Sequence, residues 1–266
     1  MSSEHATCHN CGASLANNPK FCSACGQQSH VHRFTLPHFF HEMMHAFTHA
    51  DKGIFLLILE LFKSPGKVLF EYIDGFKRKK YFNPFTFIVL VGGFTLFMNT
   101  TFKPYKDFDF TEGVKKSNVA LSVEVQERSN KMNTFFRTQS KILLLGSVPI
   151  SALAMWLMYR RRKLYFAEHL VAMTFITGSL GLFMSLIMVP IQAFFLEPKH
   201  YATISFLTLF FQCIYFAWAY HGWMKRKSAS NFFYALLVQL LNIVFWMIFT
   251  GLLGSLYMLW PMIVKS

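Results

Sequence analysis

Acidic residues are scarce in this 266-residue chain, which has 13 Asp and Glu against 26 Lys and Arg and a net charge of +13. Such a basic balance would suit a nucleic-acid-binding protein. The basic residues, however, are grouped at the ends of long apolar runs, which is how membrane proteins distribute them. The composition therefore makes nucleic acid an unlikely partner and favours an integral membrane protein.

Asp, Glu, Lys and Arg are missing from the middles of those apolar runs. Ion-coupled transporters usually carry charged residues at broken helices in mid-membrane, and this chain also lacks an obvious internal repeat. A small-molecule transporter or pore is therefore a minor alternative. The strongly polar residues within the runs are expected to hold helices together. They are the amides Asn99, Gln192, Gln212, Gln239 and Asn242.

A cleavable signal peptide is also missing, because the first thirty residues are polar, contain four cysteines and have no apolar core segment. We expect the first hydrophobic span to act as the insertion signal itself.

Long apolar runs dominate what is present, with 53% hydrophobic and 18% aromatic residues. A membrane-spanning helix needs about 20 apolar residues, and five stretches qualify. They lie at about 83–102, 141–159, 169–196, 202–223 and 231–260. Pro190 predicts a kink in the third. The length of the last predicts a tilt, a bend near Gly251 and Gly254, or an early exit from the bilayer. We predict an all-α polytopic membrane protein with about five transmembrane helices.

The orientation follows from three basic clusters, at 77–80, 160–163 and 225–227. With five spans all three fall on one side, which the positive-inside rule makes cytoplasmic. The N-terminus is then predicted to be cytoplasmic and the C-terminus extracytoplasmic. Residues 103–140 become an extracytoplasmic loop within the transmembrane bundle of residues 83–266.

Two CxxC pairs lie in residues 1–30, and each is followed by a glycine. The pairs are Cys8 with Cys11 and Cys22 with Cys25. Four thiolates suit tetrahedral zinc, and closed sites of this kind are structural. We predict a cytoplasmic zinc ribbon with one structural zinc ion, whose binding supplies the folding energy. Two disulfides, a redox CxxC or iron bound by the same ligands are the alternatives.

The stretch HFFHEMMHAFTH at residues 38–49 predicts an amphipathic helix. At 100° per residue the histidines share one face and the aromatic residues the other, which is typical of a helix in the membrane interface. We assign residues 31–82 to juxtamembrane interfacial helices. The basic run Lys77, Arg78, Lys79 and Lys80 at their end is predicted to contact anionic lipid headgroups.

The same stretch contains an HExxH motif, in which His41 and His45 could bind zinc while Glu42 acts as general base. A catalytic zinc needs a third protein ligand, and His169 could supply it from the start of the third span. Glu168 beside it is a second catalytic candidate, although it could equally cap and orient that helix. The alternative function is thus a membrane-embedded metal-dependent hydrolase. The histidine face could otherwise be an interfacial packing face.

The favoured function is that of a scaffold or regulatory membrane protein that binds a protein partner through the zinc ribbon. Membrane lipids are expected as further partners, and a homo-oligomer is an open alternative.

The CxxCG pairs, the segment HADKG…PGKV…EYI…KYFNP and the later AEHL resemble a bacterial membrane-protein family known as domain of unknown function 3667. The resemblance implies an integral inner-membrane protein with an N-terminal zinc ribbon, and it implies no activity.

Overall fold

The computed structural model describes residues 6–15, 19–29, 33, 35–37, 53–104, 127, 128, 130, 131, 134, 140–195, 200–224 and 229–265. The short strands β1 (Ala6–Thr7) and β2 (Ser14–Leu15) pair antiparallel. The helices are α1 (Ile54–Lys63), α2 (Pro65–Leu69), α3 (Pro84–Phe102), α4 (Ser140–Met158), α5 (Phe166–Phe183), α6 (Val189–Phe195), α7 (Tyr201–Trp223) and α8 (Ala229–Lys265). A π-helical turn, Phe70–Asp74, continues α2, and another, Met184–Met188, joins α5 to α6.

All five predicted spans are helical, and four of the described stretches are long and apolar enough to cross a membrane. These are Pro84–Phe102, Phe166–Phe195, Thr203–Trp223 and Ala229–Leu256. The apolar part of α4 among the described residues, Leu145–Met158, is shorter than a full span. The chain is therefore a helical protein suited to a membrane, while the count of five spans stays a prediction.

The predicted kink at Pro190 corresponds to the π-helical turn that precedes it. Proline has no N–H to donate to the preceding turn, and a π-turn is one way for a helix to adapt to that loss. The Val189 amide accordingly donates to the carbonyl of Met184, five residues back.

The last run, in contrast, continues through Gly251 as one helix of 37 residues. At 1.5 Å per residue, α8 is about 55 Å long and exceeds the hydrocarbon thickness.

Helix α5 lies at the centre of the bundle, where it packs against both α3 and α4. Its sequence is apolar all round, which suits a helix surrounded by other helices or by lipid. Of the residues in its apolar stretch, 67% are buried inside the protein, compared with 17% of those in the apolar stretch of α8. Aromatic rings fill the contacts, with Tyr72 edge-on to Phe175 at 5.1 Å between centroids. Helix α8 instead leaves a long apolar surface exposed, as a lipid-facing helix would.

The helices alternate in direction. At one end, the Trp223 indole nitrogen donates to Asp74 at 2.6 Å, and the Tyr234 hydroxyl donates to the Met158 carbonyl at 3.1 Å. At the other end, Phe102 packs edge-on to Phe194 at 5.4 Å. The basic residues 77–80 and 160–163 both lie at the first end, together with the paired cysteines. This common end is called the ribbon face below.

Helices α1 and α2 pack into the bundle rather than lying only along its edge. Leu57 and Leu61 are fully buried, whereas Phe55 is 77% exposed. Pro65 has no N–H to donate to the Leu61 carbonyl, so the break between the two helices leaves that acceptor without its usual partner. The hydroxyl of Tyr215 on α7 donates to it at 3.0 Å. The break between α1 and α2 is thus joined to the bundle by a buried hydrogen bond.

Helices α2 and α7 approach each other very closely at Gly66 and Gly222. A Cβ on Gly66 would lie 2.4 Å from the Cα of Gly222 and 2.7 Å from the Trp223 amide nitrogen. These are backbone atoms, which cannot rotate away as a side chain could. The two helices therefore touch backbone to backbone, and only glycine fits at position 66.

We expect Gly66→Ala to destabilise the protein by about 2 kcal/mol, since the added methyl overpacks a rigid contact. Thermal unfolding of the detergent-solubilised protein, followed by circular dichroism, measures the effect. Gly251→Ala is the matched control, because no atom lies within 4 Å of a Cβ built there. Equal unfolding temperatures for the two variants would contradict this packing.

Candidate metal centre and its contacts with the bundle

The four N-terminal cysteines converge on one point. Their Sγ atoms all lie within 4.8 Å of one another, and Cys8–Cys25 and Cys11–Cys22 are 3.6 and 3.7 Å apart. A tetrahedral ion bound at about 2.3 Å by four sulfurs requires sulfur–sulfur distances of about 3.8 Å. The distances also exceed a disulfide bond of about 2.05 Å, and all four cysteines are free thiols. The donor set and its spacing therefore fit a closed four-thiolate metal site.

The two halves of the site are built alike, with an offset of 14 residues. The amides of Gly12 and Gly26 each donate to the carbonyl of the cysteine four residues earlier, both at 2.8 Å. Both glycines have positive φ, 76° and 71°, which other residues adopt only with strain. The pairing of Thr7 with Ser14 in β1 and β2 recurs as the bridge between Phe21 and Gln28. Each CxxCG sequence thus forms the same metal-binding turn.

The cysteine segment has almost no hydrophobic core of its own. Among its described residues, the buried apolar cluster consists of Cys8, Leu15 and Cys22. Such a cluster is far too small to offset the entropy of ordering the segment. Metal binding by the four thiolates would supply the missing free energy. We call residues 6–29 the ribbon.

Gln27 fastens the ribbon to the loop after the π-turn Phe70–Asp74. Its side-chain amide donates to the Phe76 carbonyl at 3.2 Å and accepts from the Lys79 amide at 3.0 Å. Only 3% of Gln27 is exposed. His9 adds an edge-on contact with the Phe76 ring at 5.9 Å. Phe76 has a φ of 53°, a costly conformation for a bulky residue, and the ribbon contacts the loop at this residue.

Arg33 makes the second connection. Its Nε and Nη2 atoms donate to the two oxygens of Glu168, at 2.7 and 2.6 Å. Its guanidinium also lies 4.3 Å from the centre of the Tyr165 ring. The Glu168 oxygen that accepts from Nη2 accepts from the Tyr165 amide as well, at 2.9 Å. The pair is therefore a bidentate ion pair that joins the segment after the ribbon to the first turn of α5.

Glu168 thus caps α5, which is one of the two roles that the sequence allows. It is 2% exposed, and both oxygens accept hydrogen bonds. A carboxylate at a helix N-terminus is also stabilised by the helix dipole. Metal ligation or acid–base catalysis by Glu168 would require the Arg33 pair to break, and that role stays a prediction.

His169 is fully buried among aromatic rings. Its Nδ1 lies 3.2 Å from the Tyr220 hydroxyl, and the two rings stack with an interplanar angle of 14°. Trp223 packs edge-on against it at 5.7 Å. Its other nitrogen, Nε2, has no hydrogen-bond partner among the described residues. The other members of the proposed catalytic site, His41, Glu42 and His45, lie outside the described residues, so the second metal site stays a prediction.

Glu71 neutralises part of the basic run. It accepts hydrogen bonds from Lys77 at 3.2 Å, from Lys80 and from the Tyr81 hydroxyl at 2.7 Å. Burial alone would raise the pKa of Glu71, but the bonds from Lys80, Tyr81 and Lys77 outweigh it and lower the pKa to about 2. Two of the four residues predicted to contact lipid are therefore ion-paired within the protein. The lipid contact of the whole run stays a prediction.

The sequence gives no advance signal for Gln27, Arg33 or Glu71. Gln27 and Arg33 belong to no motif, and the EYI segment that contains Glu71 gives no sign of its contacts. The partner of each residue lies too far along the chain, or in too irregular a loop, to be predicted from periodicity. The Arg33 partner, for example, is 135 residues away. By contrast, the spacing of the four cysteines is enough to predict that they form one site.

A comparison with known families finds one match. Residues 51–96 match the family described as Protein of unknown function (DUF3667). The match covers a minor part of the chain, from just before α1 to the middle of α3, and so includes Gly66, Glu71 and the loop that holds Gln27. No curated protein and no solved structure matches the chain. The comparison supports the resemblance in this segment and brings no activity.

Gln27→Ala is expected to loosen the ribbon from the loop at Phe76, since two buried hydrogen bonds are lost at a cost of about 1–3 kcal/mol. Limited trypsin digestion of the full chain should then cut faster after Lys77, Lys79 and Lys80. Gln28→Ala is the control, because Gln28 is the exposed neighbour. Equal cleavage rates for the two variants would disprove the attachment.

Glu71→Gln is expected to cost about 2 kcal/mol at neutral pH, because charge-assisted hydrogen bonds are lost. A carboxyl group whose pKa is lowered by folding stabilises the folded protein at pH values above its pKa in the unfolded state. That stabilisation is lost as the pH falls through its pKa in the folded state. The advantage of wild type should therefore be full above about pH 5 and disappear between the ordinary value of 4.5 and about 2.

Unfolding of wild type and Glu71→Gln across this pH range measures the difference. Both proteins lose thiolate-bound metal in acid, so only the difference between them is informative. A difference that does not change with pH would show that Glu71 has an ordinary pKa.

Proposed function

We propose that this chain is a polytopic protein of the bacterial inner membrane whose zinc ribbon is a structural, partner-binding module on the cytoplasmic face. Its role would be that of a scaffold or regulator. The observation that carries the proposal is the closed four-cysteine site, fastened to the bundle through Gln27 and followed by the Arg33–Glu168 pair.

The donor set argues against a catalytic role for this metal. A catalytic zinc keeps one position open for water or substrate and usually has three protein ligands, whereas a site with four thiolates is coordinatively full. Bound zinc would hold the ribbon folded and would have no other role there. Zinc is favoured by the spacing of the two CxxC pairs, which is typical of structural zinc sites.

The cytoplasmic assignment rests on charge and on thiol chemistry. The basic residues at 77–80 and 160–163 lie on the ribbon face, and the positive-inside rule assigns that face to the cytoplasm. Four free thiols also suit a reducing compartment better than an oxidising one. Both arguments give the same orientation, with the N-terminus inside and the C-terminus outside.

The ribbon presents an apolar side chain that its own fold does not need. Phe21 is 57% exposed, although it lies in the bridge that pairs with Gln28. Aromatic residues are enriched where proteins bind one another, and a small ribbon has few other apolar side chains to offer. We propose Phe21 as a contact for the partner protein.

A transporter or pore receives no added support from the buried amides. Asn242 on α8 donates to Gln239 at 3.2 Å and to Ser151 on α4 at 3.4 Å. The first bond lies within α8, and the second joins α8 to α4, as interhelical amides commonly do. The hydrolase alternative depends on His41, Glu42 and His45, whose positions lie outside the described residues.

The purified full-length protein should contain one zinc ion per chain by plasma-emission spectrometry. Cys22→Ser is expected to abolish it, because three thiolates bind zinc far less tightly than four, whereas His41→Ala with His45→Ala should leave it unchanged. Two zinc ions in wild type, one of them lost with the histidines, would instead establish the second site and support the hydrolase.

A further inference from the structure

We propose that a cleft between the end of α4 and the start of α8 binds the phosphate group of an anionic phospholipid. The inference goes beyond the proposed function, because it does not depend on what the ribbon binds. It assigns a ligand to a pair of arginines that so far serve only to indicate orientation.

The cleft lies at the ribbon face and has a volume of about 520 Å³. Leu157 and Met158 from the last turn of α4 form its apolar wall, Arg160 and Arg161 follow them, and Tyr234 closes it from α8. The Tyr234 hydroxyl donates to the Met158 carbonyl at 3.1 Å, which holds the two helices together at this point. The cleft therefore combines two cations with an apolar wall at the end of a membrane helix.

The two arginines have no carboxylate to neutralise them within the part of the chain that the structure describes. The carboxylates described near the ribbon face are all engaged elsewhere. Glu168 binds Arg33, Glu71 binds Lys77 and Lys80, Glu60 binds Lys67, and Asp74 accepts from Trp223. Arg160 and Arg161 are both exposed. Their positive charge is thus available to an external anion, unlike that of Lys77 and Lys80.

Guanidinium groups match the phosphate oxygens in geometry, since each can donate two parallel hydrogen bonds. The apolar wall decides between a lipid and a soluble phosphate. Leu157 is 51% exposed beside the two arginines, and burying it against an acyl chain would gain free energy that a free phosphate cannot provide. Tyr234, with its ring beside the wall and its hydroxyl at the polar end, is the side chain expected at this depth.

Binding of phosphatidylglycerol to the full-length protein in neutral detergent micelles, measured by native mass spectrometry, tests the assignment. Each basic residue near a membrane surface contributes about 1 kcal/mol, so Arg160→Gln with Arg161→Gln should weaken binding about thirtyfold. Arg160→Lys with Arg161→Lys should bind more tightly than the glutamine variant but more weakly than wild type, because both charges remain while the paired guanidinium hydrogen bonds are lost.

Lys63→Gln with Lys163→Gln is the matched control. Both lysines are exposed, Lys163 lies in the same loop as the arginines, and neither lines the cleft. This variant loses the same charge and should bind within about threefold of wild type. An equal loss in the lysine and arginine variants would overturn the proposal, since the attraction would then be general.

Two further measurements decide the remaining outcomes. Millimolar glycerol 3-phosphate should not displace the lipid; if it does, the site takes soluble phosphates and the lipid assignment fails. If the arginine double variant does not fold, the single changes Arg160→Gln and Arg161→Gln should each weaken binding about fivefold. Unchanged binding in both single variants would refute the site.

Discussion

The convergence of four cysteine thiols on one point is the constraint on which the ribbon face depends. Their sulfurs lie within 4.8 Å of one another in a segment whose buried apolar cluster, among the described residues, has three members. Without a metal, nothing else in that segment could hold Gln27 in position. Gln27 in turn holds the Phe76 loop in a strained conformation, and Arg33, four residues beyond the ribbon, caps α5 through Glu168. A metal ion would therefore affect structure well beyond its own ligands.

The bundle supplies the rigid base for these contacts. Helix α5 is buried on all sides, and α2 crosses α7 so closely that Gly66 and Gly222 touch through their backbones. Pro65 leaves the Leu61 carbonyl without a helical partner, and Tyr215 satisfies it from inside the bundle. Residues 53–82, which precede the first span, are thus fixed to the bundle at several points. A change at the ribbon would be transmitted to a defined loop and a defined helix end.

Periodicity and spacing were sufficient for the parts of the molecule that depend on local patterns. Apolar runs of the right length predict the helices, and the spacing of the two CxxC pairs predicts the thiol cluster. The contacts between parts were not predictable in the same way. Arg33 could pair with any carboxylate, and only the packing of α5 brings Glu168 to it. The lipid-headgroup contact predicted for the basic run is a similar case. The local sequence does not show that Glu71 forms ion pairs with Lys77 and Lys80.

Hydrogen exchange of the full-length protein in lipid nanodiscs, before and after a chelator removes the metal, tests the central claim most directly. The account predicts that metal removal speeds exchange by at least tenfold in the ribbon and also at the Lys79 amide, which Gln27 holds. The buried centre of α5 around Phe175 should not change. Loss of protection confined to the ribbon, with the Lys79 amide still protected, would show that the ribbon is not coupled to the bundle and would contradict the account.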